Sequence, residues 1–228
     1  MEVKEEVPSV ESIKQIRQVE PFKGAIFGGR LSDMLQHQRV HYPNVKIPKP
    51  FAVICDCLLD SNPASEGVFR ISPSSDKLHE LKIMIESGSS SLPGSREPHA
   101  AASLLKGWFR EMKEPIIPLS HYDEFISNAD KADVLEGLVF NALPDDNRYC
   151  LLYLIRFLRI ICAYKEITKM GENNVAMTFS PNLFKQPDPF VQAANTSKET
   201  KAIETLLLHL TLPDSIPGVY SDIKLPNK

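Results

Sequence analysis

Residues 143–167 read LPDDNRYCLLYLIRFLRIICAYKEI. Pro144 stands where a first helical turn tolerates it, because the N–H it lacks has no partner there. Asp145 and Asp146 follow, and their charges suit the positive end of a helix dipole. From Cys150 to Ala163 apolar residues fall on nearly every side of the helical wheel, interrupted only by Arg156 and Arg159. A helix apolar all round belongs in the middle of a protein, with other helices on every side. This stretch therefore predicts the longest helix of the chain and the buried centre of a bundle.

The neighbouring segments fit that centre. KPFAVICDCLLD carries Phe51, Ile54, Cys55, Leu58 and Leu59 at helical spacing, and SNPAS ends it. SSDKLHELKIMIESG starts a helix with Ser75 as its cap and stops at Gly88. HAAASLLKGWFREMKE is helical up to Pro115, YDEFISNA and ADVLEGLVFNAL are shorter helices, GENNVAMTFSPNLF is helical up to Pro181, and KETKAIETLLLHL is the last helix. FKGAIFGGRL, with three glycines, and HYPNVKIPKP, with three prolines, break regular structure. Residues 1–26 read as a flexible lead-in, because the apolar stripe of a helix from Ser9 would be thin, and residues 213–228 as a Pro-rich tail. Strand alternation is missing. The expected class is all-α: a single-domain helical bundle over residues 27–212.

Composition narrows the function classes. The 228 residues are 43% hydrophobic and 24% charged, with a formal net charge of −3. That balance gives no global basic field for nucleic acid, so any anion recognition must be local. Cys55, Cys57, Cys150 and Cys162 sit among apolar residues at spacings that match no zinc site, and read as reduced, packed thiols of an intracellular protein. No metal site is expected. The acidic start has no apolar signal core, no run spans a membrane, and KLPNK carries no prenylation signal. Phosphate-cradling P-loop, GxSxG and HExxH patterns are all missing.

One short stretch resists a purely structural explanation. Glu66–Ser72, EGVFRIS, sets Arg70 among Val68, Phe69 and Ile71 just after a glycine. Such an arginine either neutralises an internal carboxylate or projects toward a negative group on another molecule. Lys106 and Arg110 lie four apart in LLKGWFREM and share a helix face. Taken alone they read as a solvated face, and Asn182 after Pro181 reads as a polar helix end.

The order of the pieces changes that reading. EGVFRIS, ASLLKGWFREMKEPIIP (102–118) and NNVAMTFSPNL (173–183) occur in sequence along a helical chain, supported by FGGRL, IPKPF and the 143–167 helix. The chain resembles the Rho GTPase-activating (RhoGAP) domain family from about Phe27 to Leu212. That resemblance implies a bundle of about nine helices. It implies a protein with no substrate pocket of its own, which binds a GTP-loaded Rho-, Rac- or Cdc42-type small GTPase and speeds the GTPase's own hydrolysis. Arg70 is then the arginine finger, Gly67 supports its loop, and Val68, Phe69 and Ile71 anchor it. Lys106 and Arg110 secure the loop and contact the partner, and Asn182 hydrogen-bonds at the partner surface. GTP and Mg²⁺ belong to the partner, and the chain needs no cofactor of its own. A cytoplasmic monomer, recruited to membranes through its partner or through further segments, is expected. The alternative within the same fold is a module that binds a GTPase without accelerating it. Pro73 stands where the family often has glycine, Ser180 replaces the glycine before PNL, and Lys113 replaces the proline of LPEP. The first of these bears on the stiffness and aim of the finger loop.

Overall fold

The computed structural model describes residues 22–41, 43–92 and 97–213. Most of the lead-in expected over residues 1–26 and nearly all of the Pro-rich tail lie outside these residues. Ten α-helices run in order among them: α1 (Leu31–Arg39), α2 (Lys49–Ser61), α3 (Ser75–Glu86), α4 (Pro98–Glu111), α5 (Tyr122–Ser127), α6 (Ala132–Asn141), α7 (Asp145–Ala163), α8 (Lys165–Thr168), α9 (Glu172–Leu183) and α10 (Pro189–His209). A 3₁₀ turn at Leu119–His121 leads into α5. The described residues contain no strand beyond one bridge pairing Ile117 with Phe184. The all-α class is therefore correct.

The α7 helix is the buried centre that its sequence demands. Every residue from Cys150 to Ile155 is buried, as are Phe157, Leu158 and Ile160–Cys162. The two arginines within its apolar stretch, Arg156 and Arg159, are partly buried. Arg159 donates to the carbonyls of Leu206, Leu207 and Leu210, at 3.1, 2.8 and 2.7 Å. Leu207 O and Leu210 O lie at the C-terminal end of α10, where carbonyls lack helical donors, while Leu206 O also accepts from Leu210 N at 3.1 Å. A cation at that end also meets the negative pole of the helix.

An aromatic cluster locks α2 and α4 onto α7. The Phe51 ring lies 5.3 Å from Trp108, 5.1 Å from Phe109 and 5.0 Å from Tyr153. Two of these contacts are edge-to-face, a geometry favoured by the ring quadrupoles. All four cysteines are buried and free.

Several boundaries differ from the sequence expectation. Helix α1 is one that its sequence does not announce: only Leu31, Met34, Leu35 and Gln38 turn inward. Gln38 then caps the next helix, its Oε1 accepting from the N–H of Lys49 at 2.8 Å. The adjacent Arg39 reaches Asp146 with both Nη atoms, at 3.2 and 2.5 Å, so this aspartate has a specific partner besides the α7 dipole. The α3 helix is preceded by Ser74, and no side-chain cap bond forms at its start. The long helix stops at Ala163 and restarts as the short α8. It is also not the longest: α10 has 21 residues against 19. α10 begins at Pro189, well before KETKAIETLLLHL, because Asp188 Oδ1 accepts from Phe190 N at 2.8 Å and caps it. Helix α9 passes through Pro181 and ends at Leu183. Pro181 is exposed, so the backbone disturbance that it causes stays on the solvent side.

No described helix is long and apolar enough to cross a membrane. No cluster of His, Cys, Asp and Glu among the described residues is arranged to hold a metal ion.

Candidate functional site around Arg70

The loop between α2 and α3 is built on two left-handed residues. Gly67 has φ +67° and Phe69 φ +71°. Glycine adopts this conformation freely, whereas phenylalanine does so only under outside constraint. The loop closes on itself first. Arg70 N donates to Gly67 O at 2.8 Å, Ile71 N to the same oxygen at 2.9 Å, and Val68 N to Ser65 O at 3.2 Å.

Three outside contacts hold it. Val68 and Phe69 are buried, and the Phe69 ring meets Phe179 of α9 edge-on at 4.8 Å. Lys106 of α4 donates from Nζ to Phe69 O at 2.5 Å. Thr168 O accepts from Gly67 N at 2.7 Å. Ile71 does not anchor the loop as expected. It is 46% exposed and lies across Gly67, where an added Cβ would approach Ile71 Cδ1 to 2.8 Å. The turn explains this: with Val68 and Phe69 directed inward, the chain reverses over Gly67 O and sends Arg70 and Ile71 outward.

Arg70 is exposed and forms no ion pair among the described residues. Of the two readings open for an arginine in this run, neutralisation of a carboxylate is not found among the described residues. Its guanidinium lies near the turn itself, with Nη2 3.6 Å from the point where a Gly67 Cβ would stand.

Helix α4 presents Lys106 and Arg110 on the face opposite its buried Leu104, Leu105, Trp108 and Phe109. Lys106 is half-buried against the loop and Arg110 is exposed. Burial pulls the Lys106 ammonium below the usual lysine range, and the neighbouring Arg110 charge pulls it the same way. Glu111, one residue on, pairs instead with Lys82 of α3 at 2.7 Å. Among the described residues neither Arg70 nor Arg110 forms an ion pair.

Asn182 behaves differently. It is only 7% exposed, and its Nδ2 donates to Thr178 O at 2.8 Å inside its own helix. The structure thus brings Arg70, Gly67, Lys106 and Arg110 together, while Asn182 stands on α9 one turn beyond Phe179 with its amide nitrogen already engaged. Ser180 is buried, its Oγ 3.3 Å from Thr200 Oγ1 of α10. The Lys113 backbone N–H donates to Gly29 O at 2.9 Å, which ties the FGGR stretch to the end of α4. Sequence reasoning missed Thr168, whose carbonyl contribution no side-chain pattern reveals. It also missed Lys82, whose role depends on the packing of α3 against α4.

The RhoGAP domain model matches residues 48–188, more than half of the chain. Rho GTPase-activating protein 24 of Homo sapiens is 32% identical over 183 residues, covering 76% of this chain and 24% of that protein. GTPase activating protein homolog 3 of Dictyostelium discoideum is 29% identical over 204 residues, covering 86% of this chain and 15% of that protein. The chain thus spans about a quarter or less of the length of these relatives. Among solved structures, the crystal structure of human Rho GTPase-activating protein 15 superposes with a TM-score of 0.71 at 19% identity, over 88% of this chain and 96% of that one. The BH domain of Graf, the GTPase regulator associated with focal adhesion kinase, gives 0.64 at 19% identity, over 72% of this chain and 93% of that one.

Proposed function

This chain belongs to the RhoGAP domain family, and from that premise we propose that it binds a GTP-loaded Rho-family GTPase and accelerates its hydrolysis by inserting Arg70 as an arginine finger. The observation that carries this reading is an exposed guanidinium, without an ion-pair partner among the described residues, on a loop tied down at Gly67 and at Phe69. A charge kept free of partners on a fixed backbone is a charge available to another molecule.

The physical role follows from the residue. During phosphoryl transfer negative charge builds toward the bridging and leaving oxygens of the partner's nucleotide. A planar, permanently charged guanidinium can donate to two oxygens at once. In a site dried by the interface that interaction is less screened than in water. A finger supplied in trans is worth about 10³–10⁵ in rate, or roughly 4–7 kcal/mol. The nucleotide and its Mg²⁺ are the partner's. Lys106 and Arg110 complete the basic contact surface, and Asn182 hydrogen-bonds to the partner through its amide oxygen, its Nδ2 being engaged by Thr178 O.

The test is single-turnover phosphate release from GTP-loaded Rho-, Rac- and Cdc42-type GTPases, with this chain added in excess. Acceleration by the chain that disappears in Arg70→Ala while the complex still forms supports the reading. Complex formation without acceleration makes the chain a binding module of the same fold. Failure to bind any of these GTPases overturns both.

A further inference from the structure

Lys106 holds the finger loop at Phe69, and a second strut meets it two residues earlier, at Gly67. Gly67 N donates to Thr168 O, and Thr168 is fully buried. We infer that the Thr168–Met170 turn is a positioning element for Arg70, acting through the Gly67 amide; this rests on the function proposed above for Arg70.

The turn is shaped for such a task. Thr168 ends the single turn of α8, with its N–H donating to Tyr164 O at 2.9 Å. Lys169 then enters the left-handed region at φ +57°, which a side-chain-bearing residue adopts only when its surroundings impose it. The surroundings do so from both sides. Thr168 Oγ1 accepts from Met170 N at 3.1 Å across the bend, and Asn174 Nδ2 donates to Lys169 O at 3.0 Å from the first turns of α9. The Lys169 N–H donates to Lys165 O at 2.9 Å. The net result is one carbonyl, Thr168 O, aimed out of a rigid bend at the N–H of a left-handed glycine.

That carbonyl and Lys106 act on opposite ends of one peptide run. The turn fixes where Gly67 begins the loop, and Lys106 fixes where Phe69 O points. Arg70 is the next residue, so its Cα is held by two independent elements before any partner arrives. Neither strut touches the guanidinium. Such bracing matters to a catalytic group because a displacement of about 1 Å costs on the order of 10²-fold in rate. It matters little to binding, which draws on a wider surface. Thr168 is thus a positioning residue whose loss separates rate from affinity.

Thr168→Val keeps the shape of the side chain and removes the hydroxyl that accepts from Met170 N. Thr168→Ser restores an acceptor. Two readouts are taken on the full chain: hydrogen exchange of the Gly67 amide, and the maximal stimulated rate against the half-saturating concentration with the most responsive GTPase of the panel. In Thr168→Val, Gly67 exchange is expected to accelerate by about tenfold as local opening becomes easier. The maximal rate is expected to fall by about tenfold while half-saturation changes by less than about twofold. Thr168→Ser is expected to recover most of both. Unchanged Gly67 exchange and rate in Thr168→Val overturn the inference. So does a parallel loss of rate, affinity and unfolding midpoint that Thr168→Ser does not recover, since Thr168 then serves only the fold. If the unsubstituted chain accelerates no GTPase, the function proposed for Arg70 fails, and Gly67 exchange alone still decides whether the turn holds the loop.

Discussion

Lys106 Nζ lies 2.5 Å from the carbonyl oxygen of Phe69, the residue immediately before the exposed Arg70. The bond is charge-assisted, and it fixes a peptide whose φ of +71° an unconstrained phenylalanine avoids. Two residues far apart in sequence thereby determine where a third begins.

Lys106→Ala is expected to release that peptide. The maximal stimulated hydrolysis rate should fall by about tenfold or more. Association should weaken as well, because a basic group beside Arg110 is lost from the contact surface. Stopped-flow binding and single-turnover hydrolysis measure the two separately. Unchanged values for both would remove Lys106 from the site.

Gly67→Ala tests the loop's backbone. A Cβ there meets Ile71 Cδ1 at 2.8 Å, and φ is +67°. An L-residue in this region costs about 1–2 kcal/mol. Urea denaturation is expected to show a loss of that order together with a reduced stimulated rate. Full stability and full rate would mean that the turn is not held at this geometry.

Much of this arrangement was legible from the sequence, and the residues that were not explain why. The α7 helix could be read because apolar residues on all sides of a helix permit only burial. The bundle class followed from it. The ends of helices were less legible where a single side chain decides them. Asp188 starts α10 at Pro189 through one hydrogen bond, and Pro181 is carried inside α9 because it faces solvent. At the site, spacing put Lys106 and Arg110 on one face of α4, but it gave no sign that Lys106 is directed at a backbone carbonyl. Ile71 looked like an anchor by residue type, and the turn geometry sends it outward instead. Asn182 is engaged by its own helix, which its position after a proline does not indicate. Thr168 acts through a main-chain oxygen, and every residue has one, so no sequence pattern marks it.

The aromatic cluster carries a stability prediction. Phe51 is fully buried against Trp108, Phe109 and Tyr153. Phe51→Ala is expected to cost about 3–5 kcal/mol, through lost transfer energy and the cavity left behind. Equilibrium urea unfolding checks it. A loss below about 1 kcal/mol would be the scale of a surface change and would contradict the packing described.

Glu199 predicts a pH dependence. Its carboxyl is fully buried in α10 and accepts from Tyr122 Oη at 2.7 Å. Burial raises its pKa above the usual glutamate range, with the Tyr122 hydrogen bond opposing this in part. The folded protein therefore binds this proton more tightly than the unfolded chain does. Its contribution to stability is fully present below the unfolded-state value and is lost as pH rises through the folded-state value. Relative to Glu199→Gln, the unsubstituted protein should lose stability as pH rises above the ordinary glutamate value of about 4.3. Parallel unfolding profiles for the two proteins would show that the carboxyl ionises as readily folded as unfolded.

Arg70 itself is the most direct test. Arg70→Ala and Arg70→Lys leave the buried part of the loop untouched, so both should fold and form the complex. With a responsive Rho-family GTPase loaded with GTP, single-turnover phosphate release should fall by about 10³-fold or more for Arg70→Ala. Arg70→Lys, which keeps the charge and loses the planar fork, should be severely impaired too. Stimulation by Arg70→Ala equal to that of the unsubstituted chain would contradict the assignment of this guanidinium as the finger.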